Sequence, residues 1–181
     1  NDFYSAGGAT GLSISFWFKY EAAAPDVSGD HLVYIYKNPG NENQKALGIL
    51  TDGIKAYHIE SAGYEGTASK IAYDFSQHQG EWKHYVLSVS GTVSSGVVFN
   101  FYVDGAHTAL ATSSLDFRPG NMGEVLVGGA SNDSISGSFD DILIINRDIT
   151  STEVSELYNS GYGLDTSSVK SLPLYSDATA Y

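Results

Sequence analysis

The chain has 181 residues, with 21 acidic against 9 basic side chains and a formal charge of −12, so it lacks the basic stripe that nucleic acid or an anionic membrane surface would require. With no cysteine it can form neither a disulfide framework, nor a thiolate metal site, nor a Cys nucleophile. No run approaches the ~20 apolar residues of a membrane span, which excludes insertion by a helix.

Thirteen Tyr, eight Phe and twenty Gly, set against four Pro and one Met, favour strands joined by tight turns. The length fits one core, so an all-β single domain is expected. The first residue is Asn1, and the chain enters a strand soon afterwards. We read this as a segment of a longer polypeptide, although a processed terminus would look the same.

Leu12, Ile14, Phe16, Phe18 and Tyr20 alternate with Ser13, Ser15, Trp17 and Lys19, the period-2 pattern of a strand with one face on a core. His31–Lys37 and Ala46–Thr51 are short strands. Asp52-Gly53 supplies a two-residue hairpin turn into a return strand at Ile54–Ile59.

A Gly/Ser-containing loop is expected over Ser61–Ser69, then an alternating run through Ile71, Tyr73 and Phe75, and a polar break at Ser76–Gly80. Trp82–Ser90 places Tyr85, Leu87 and Val89 on one face and Trp82, His84, Val86 and Ser88 on the other. Either face could be the inward one. Val97–Val103, the Asp104-Gly105 turn and Ala106–Ala111 form a second hairpin, and Glu124–Gly128 adds a further strand.

Ser138–Asn146 is the last long strand and leads into the one convincing helix. Thr150 and Glu153 make a capping box, Ile149 and Val154 a hydrophobic staple, and Gly161 a stop. Val154, Leu157 and Tyr158 share one face, so the helix should lie against the sandwich. From Leu164 onward the composition turns to Asp, Thr, Ser and Pro. Residues 1–163 are therefore expected to form the domain, and 164–181 a linker or the lead-in to another module.

The expected architecture is an all-β, two-sheet antiparallel sandwich or jelly roll with one short C-terminal helix. Four motifs in order, LSISFWF from Leu12, EWKHYV from Glu81, FYVDG from Phe101 and the strand-plus-helix stretch Gly137–Gly161, resemble the laminin-G-like, concanavalin-A-type jelly roll, pentraxins included. The resemblance spans Leu12 to Gly161. It implies a binding role, commonly for glycans or protein partners and often with bound calcium. Two features depart from the family: the chain begins where the first strand would already be under way, and Leu172–Tyr181 looks like the lead-in to a further module.

The catalytic members of that superfamily carry an E-x-D-x-(x)-E strand, which is absent here. Glu60 and Glu65 flank a loop, while Glu153 and Glu156 sit on the helix, so neither pair projects from one strand into a groove. No G-x-S-x-G elbow occurs, and the five histidines show neither H-x-H nor H-x-x-x-H spacing, which argues against a triad elbow and a zinc site.

Calcium, which takes oxygen ligands from loops, is the better cation. Asp30 precedes the second strand and Asn132-Asp133 lies in the loop before Ser138, positions that resemble the calcium loops of pentraxins and imply at most one Ca2+. The bland alternative is that these are turn residues making Asx hydrogen bonds. Tyr34, Tyr36 and Tyr64 are candidates for a ligand-binding patch, against the alternative that they pack in the sandwich.

The expected function is that of a non-catalytic module of a larger extracellular, cell-surface or virion-surface protein, recognising a glycan or surface protein beside neighbouring modules. A structural virion module that mates with its own copies, and a polysaccharide-cleaving enzyme, are the rival readings.

Overall fold

In a computed structural model, described over residues 11–22, 31–36, 45–50, 53–59, 65–92, 96–113, 124–128 and 135–163, two antiparallel sheets stack face to face. The first carries β1 (Gly11–Ala22), β6 (Trp82–Thr92), β7 (Gly96–Val103), β8 (Ala106–Ser113) and β10 (Ser136–Ile145), in the order β10-β1-β6-β7-β8. The second carries β2 (His31–Tyr36), β3 (Lys45–Leu50), β4 (Gly53–Ile59), β5 (Glu65–Ala72) and β9 (Glu124–Val127), in the order β5-β4-β3-β2-β9. The chain passes from one sheet to the other after β1, β5, β8 and β9, the wrapping of a jelly roll. One α-helix among the described residues, α1 (Ser151–Tyr158), follows β10.

The alternation in β1 dictates the core. Leu12, Ile14, Phe16 and Phe18 are at most 1% exposed and meet Tyr85, Leu87 and Val89 of β6 and Phe99 and Phe101 of β7. From the other sheet come Leu32, Val33, Leu47, Ile49, Ile54 and Ile71. Most of the ring pairs pack tilted or edge-on, as their quadrupoles prefer, among them Phe18 to Phe139 at 4.6 Å, Phe75 to Tyr85 at 4.8 Å and Tyr73 to Phe101 at 5.0 Å.

The Asp104-Gly105 hairpin forms as expected. Val103 pairs with Ala106, and both turn residues have positive φ (50° and 77°), the geometry whose twist matches that of the flanking strands. The first hairpin lies one residue earlier than expected: Leu50 pairs with Gly53, so Gly53 belongs to β4 and the two-residue connection is 51–52, outside the described residues.

The fifth strand differs more. It covers Glu65–Ala72, much of which was expected to be loop, and it ends before Tyr73. EGTASKIA has no apolar alternation to read; its register comes from backbone pairing with β4. Tyr73 and Phe75 leave the sheet because Asp74 caps a short 3-10 turn over Phe75–His78, its carboxylate accepting from the Ser76 amide at 2.9 Å, and Phe75 is thereby driven fully into the core.

Asp140 and Asp141 sit inside β10 at a bulge. Ser15 pairs with Leu143 but Trp17 with Asp140, so Asp141 and Ile142 together oppose Phe16, and Asp141 takes φ 46°. The bulge lets both Phe139 and Ile144, five positions apart, face the same core.

The capping box is present, with the Thr150 hydroxyl accepting from the Glu153 amide and the Glu153 carboxylate accepting from the Thr150 amide at 2.8 Å. Ile149 and Val154 are both buried in one cluster. The helix stop comes earlier than Gly161: Asn159 takes the left-handed cap at φ 46°, and its side-chain amide donates to the Gly163 carbonyl at 3.1 Å.

Gly11 marks how tightly the segment before α1 crosses β1. A methyl group there would lie 2.4 Å from the Asp148 amide nitrogen and 2.7 Å from the Val89 carbonyl oxygen, both backbone atoms. Gly11→Ala is expected to lower unfolding free energy by about 1–3 kcal/mol, read as a fall in the urea midpoint at constant m-value.

Candidate functional site

The expected calcium residues Asp30, Asn132 and Asp133, and Tyr64, lie outside the described residues. Tyr34 and Tyr36 lie in β2, where Tyr34 pairs with Gly48 and Tyr36 with Lys45, but their side chains lie outside the described ones. Among the described residues no three His, Asp or Glu side chains come together as a metal site. The functional geometry on view is the outer face of the first sheet, which divides into a sealed half and an open half.

The sealed half answers the question left by β6: both of its faces are buried. Val86 and Tyr102 form a second apolar cluster with Ile145, Ile149, Val154 and Leu157, so α1 covers the side of the sheet that a simple sandwich would leave wet. Beneath it runs a seam of buried polar groups, Ser13, Ser15, His84 and Ser88, each at most 2% exposed.

Ser13 Oγ donates to the Arg147 carbonyl at 2.8 Å and lies 3.1 Å from Ser88 Oγ, and the Ile149 amide donates to Ser88 Oγ at 3.0 Å. These bonds satisfy the backbone of the segment that carries the chain from β10 to α1. Burying that backbone unpaired would cost about 1–3 kcal/mol per group. Arg147 closes the same corner with a two-pronged pair to Glu153, one prong at 3.1 Å. The guanidinium, assisted by Thr150, holds the Glu153 carboxyl down at about 2.

His84 is the unusual member. Its Nε2 lies 2.8 Å from Ser15 Oγ, and its ring lies in an aromatic stack, 5.3 Å from Trp17 and 6.1 Å from Tyr158. Nδ1 is buried with no hydrogen-bond partner. A bare lone pair is cheaper to bury than an unpaired N–H, so the neutral tautomer carries its proton on Nε2, donating to Ser15.

Burial holds the imidazole neutral, pushing its pKa down to about 4, although nearby Asp104 pulls the other way. A Ser–His pair as a nucleophile–base couple needs an orienting group on Nδ1 and access for substrate. This pair has neither among the described residues; both side chains are buried and bonded to each other.

Asp104 fixes His84 from the backbone side. Its Oδ1 accepts from the His84 amide at 3.0 Å, and its own amide donates to the His84 carbonyl at 2.8 Å. Lys83 Nζ meets Asp104 Oδ2 at 2.9 Å and Glu81 at 3.3 Å, and these acids, Asp104 foremost, raise the ammonium's pKa.

The open half begins one step along β6. Trp82 stands on the same face as His84 but beyond the reach of α1, and it is 44% exposed. Directly across from it on β1 is Lys19, and across from Lys19 on β10 is Ser138. Ser138 Oγ donates to the Glu21 carboxylate at 3.2 Å, and Lys19 Nζ lies 3.9 Å from the same oxygen. The sequence grouped Trp82 with His84, Val86 and Ser88; what separates them is how far an eight-residue helix can reach.

The architecture is that of a two-sheet jelly roll of concanavalin A type. A family model described as the Concanavalin A-like lectin/glucanases superfamily, of the laminin-G kind, matches residues 4–155, and the chain belongs to that family. Among solved structures it resembles the receptor-binding domain of botulinum neurotoxin type G (TM-score 0.55, 15% identity, 83% of this chain and 38% of that one). It also resembles the binding domain of botulinum neurotoxin DC in complex with rat synaptotagmin II (0.57, 15%, 88% and 37%).

The same DC binding domain in complex with SialylT gives a TM-score of 0.56 at 16% identity, over 84% of this chain and 36% of that one. The chain thus spans under two-fifths of these solved chains, and the likeness is one of fold. A search of curated proteins finds no match.

Because His84 is held neutral in the fold, the unfolded chain binds its proton more readily, so stability rises with pH across the interval between the two pKa values. Wild type should lose stability relative to His84→Gln as pH falls from about 6.5 to about 4, with the difference constant below that. Urea midpoints measured at half-unit pH steps on both proteins check this. A parallel pair of curves would contradict it.

Proposed function

We propose that the chain is a non-catalytic recognition module of a larger extracellular or surface protein, and that it binds a glycan or a surface protein. The observation that carries this reading is how the reactive-looking side chains are used. Ser15 and His84 lie buried and bonded to each other, the His84 ring stacked on Tyr158 of α1, while the exposed end of the same face presents an aromatic ring among hydroxyl, ammonium and carboxylate groups. Such surfaces suit reversible contact, in which aromatic area and a few polar groups provide affinity and orientation.

The family and the fold neighbours support the same reading. The solved domains that resemble this one are named as binding domains, and one of them is named in complex with a synaptotagmin and, in a second structure, with SialylT. With a charge of −12, nucleic acid is a poor partner for this chain. No helix among the described residues is long and apolar enough to cross a membrane.

Calcium belongs to the proposal as one ion held by Asp30, Asn132 and Asp133, whose oxygens are of the kind this cation takes. A glycan array and a cell-surface binding assay, each run with calcium and with chelator, test both parts. Saturating calcium is expected to raise the melting temperature by about 5 °C or more, and Asp133→Asn to remove most of that rise. An unchanged melting temperature in chelator would eliminate the ion. Reducing ends released from a polysaccharide panel would overturn the non-catalytic reading.

A further inference from the structure

We propose that Trp82, Lys19, Glu21 and Ser138 form a binding platform for a neutral saccharide on the open end of the first sheet. The inference rests on the recognition reading above and gives it a site and a ligand class. An isolated exposed apolar residue is ordinary; here the setting is what matters.

Trp82, Lys19 and Ser138 occupy one row across three adjacent strands, so the row spans two strand spacings, about 10 Å, the reach of a disaccharide. Glu21 joins it through Ser138 and Lys19. The row therefore offers, in order, a flat apolar face, an ammonium donor, and a hydroxyl beside a carboxylate acceptor. A pyranose has a matching pair of surfaces: a C–H face that covers an indole, and a rim of hydroxyls that both donate and accept.

The indole is free to be covered. Among the described residues no hydrogen bond or ring contact engages it, and the pairing of β6 with β7 starts only at Tyr85–Val103, which leaves no β7 residue opposite Trp82. Two residues earlier, no atom of the described residues lies within 4 Å of where a side chain at Gly80 would begin.

Charge selects the class of sugar. Lys19 and Glu21 lie 3.9 Å apart and cancel locally, and the overall charge of −12 repels sialylated, sulfated or uronic chains. A neutral hexose or N-acetylhexosamine chain is the fit.

The chain's two tryptophans allow a direct test. Trp17 is 9% exposed and stacked on Tyr158, so a surface ligand reports through Trp82. Cello-, chito-, malto- and galacto-oligosaccharides titrated into the intact chain should give a saturable change in tryptophan emission with at least one series, equal in calcium and in chelator. Trp82→Ala should weaken that binding at least about tenfold, Trp82→Phe should retain part of it, and Glu21→Gln should weaken it severalfold with an unchanged melting temperature.

If Trp82→Ala binds the same sugar as tightly as wild type, the platform is refuted while the recognition function stands. If none of the four series binds, the platform is also refuted, and the cell-surface assay decides the broader function separately. Sedimentation showing a dimer that Trp82→Ala dissociates would reassign the patch to self-association and overturn the proposal.

Discussion

The structure depends on the fastening of α1 to the outside of the first sheet. A strand in an antiparallel sandwich ordinarily buries one face, and β1 over Ser13–Trp17 and β6 over His84–Ser88 bury both. That is possible only because the segment from Arg147 to Ile149 crosses β1 and β6 with its backbone groups bonded to Ser13 and Ser88, and because Gly11 leaves room for it. The apolar cluster of Val86, Tyr102, Ile145, Val154 and Leu157 supplies the bulk of the attraction, while the serines set where the segment lies.

That fastening orders its surroundings. Tyr158, carried on α1, closes over Trp17 and His84, and its ring is also what a side chain at Gly105 would strike, at 3.0 Å. The tight Asp104-Gly105 turn, the buried imidazole and the helix are therefore one packed unit, with Asp104 bonded to the backbone of His84 on its far side. An acid-sensitive group has been placed where burial favours its neutral form, so the histidine that completes the packing also makes it less favourable as pH falls.

Much of the fold was legible in the sequence because the signals were redundant. The alternation from Leu12 to Tyr20, the Asp104-Gly105 turn and the Thr150–Glu153 box each name one local geometry, and the tertiary structure agrees with all of them. The misreadings fall where local signals conflict or vanish. Tyr73 and Phe75 continue a strand pattern, but the carboxylate of Asp74 turns the chain between them. EGTASKIA carries no pattern at all and becomes a strand by pairing with β4. Asn159 could serve as a left-handed cap as well as Gly161, and the bond to Gly163, invisible from spacing, selects it.

The site was less legible for a physical reason. Alternation tells which residues share a face, but not which part of that face another element covers. Trp82, His84, Val86 and Ser88 are equivalent in the period of β6 and end up in opposite environments. The difference is made by α1, whose capping box begins it at Ser151 and whose left-handed cap ends it at Tyr158. A helix one or two turns longer, running on in the same direction, would change how much of the sheet is covered. The length set by Thr150 and Asn159 thus decides how much of the first sheet is core and how much is surface.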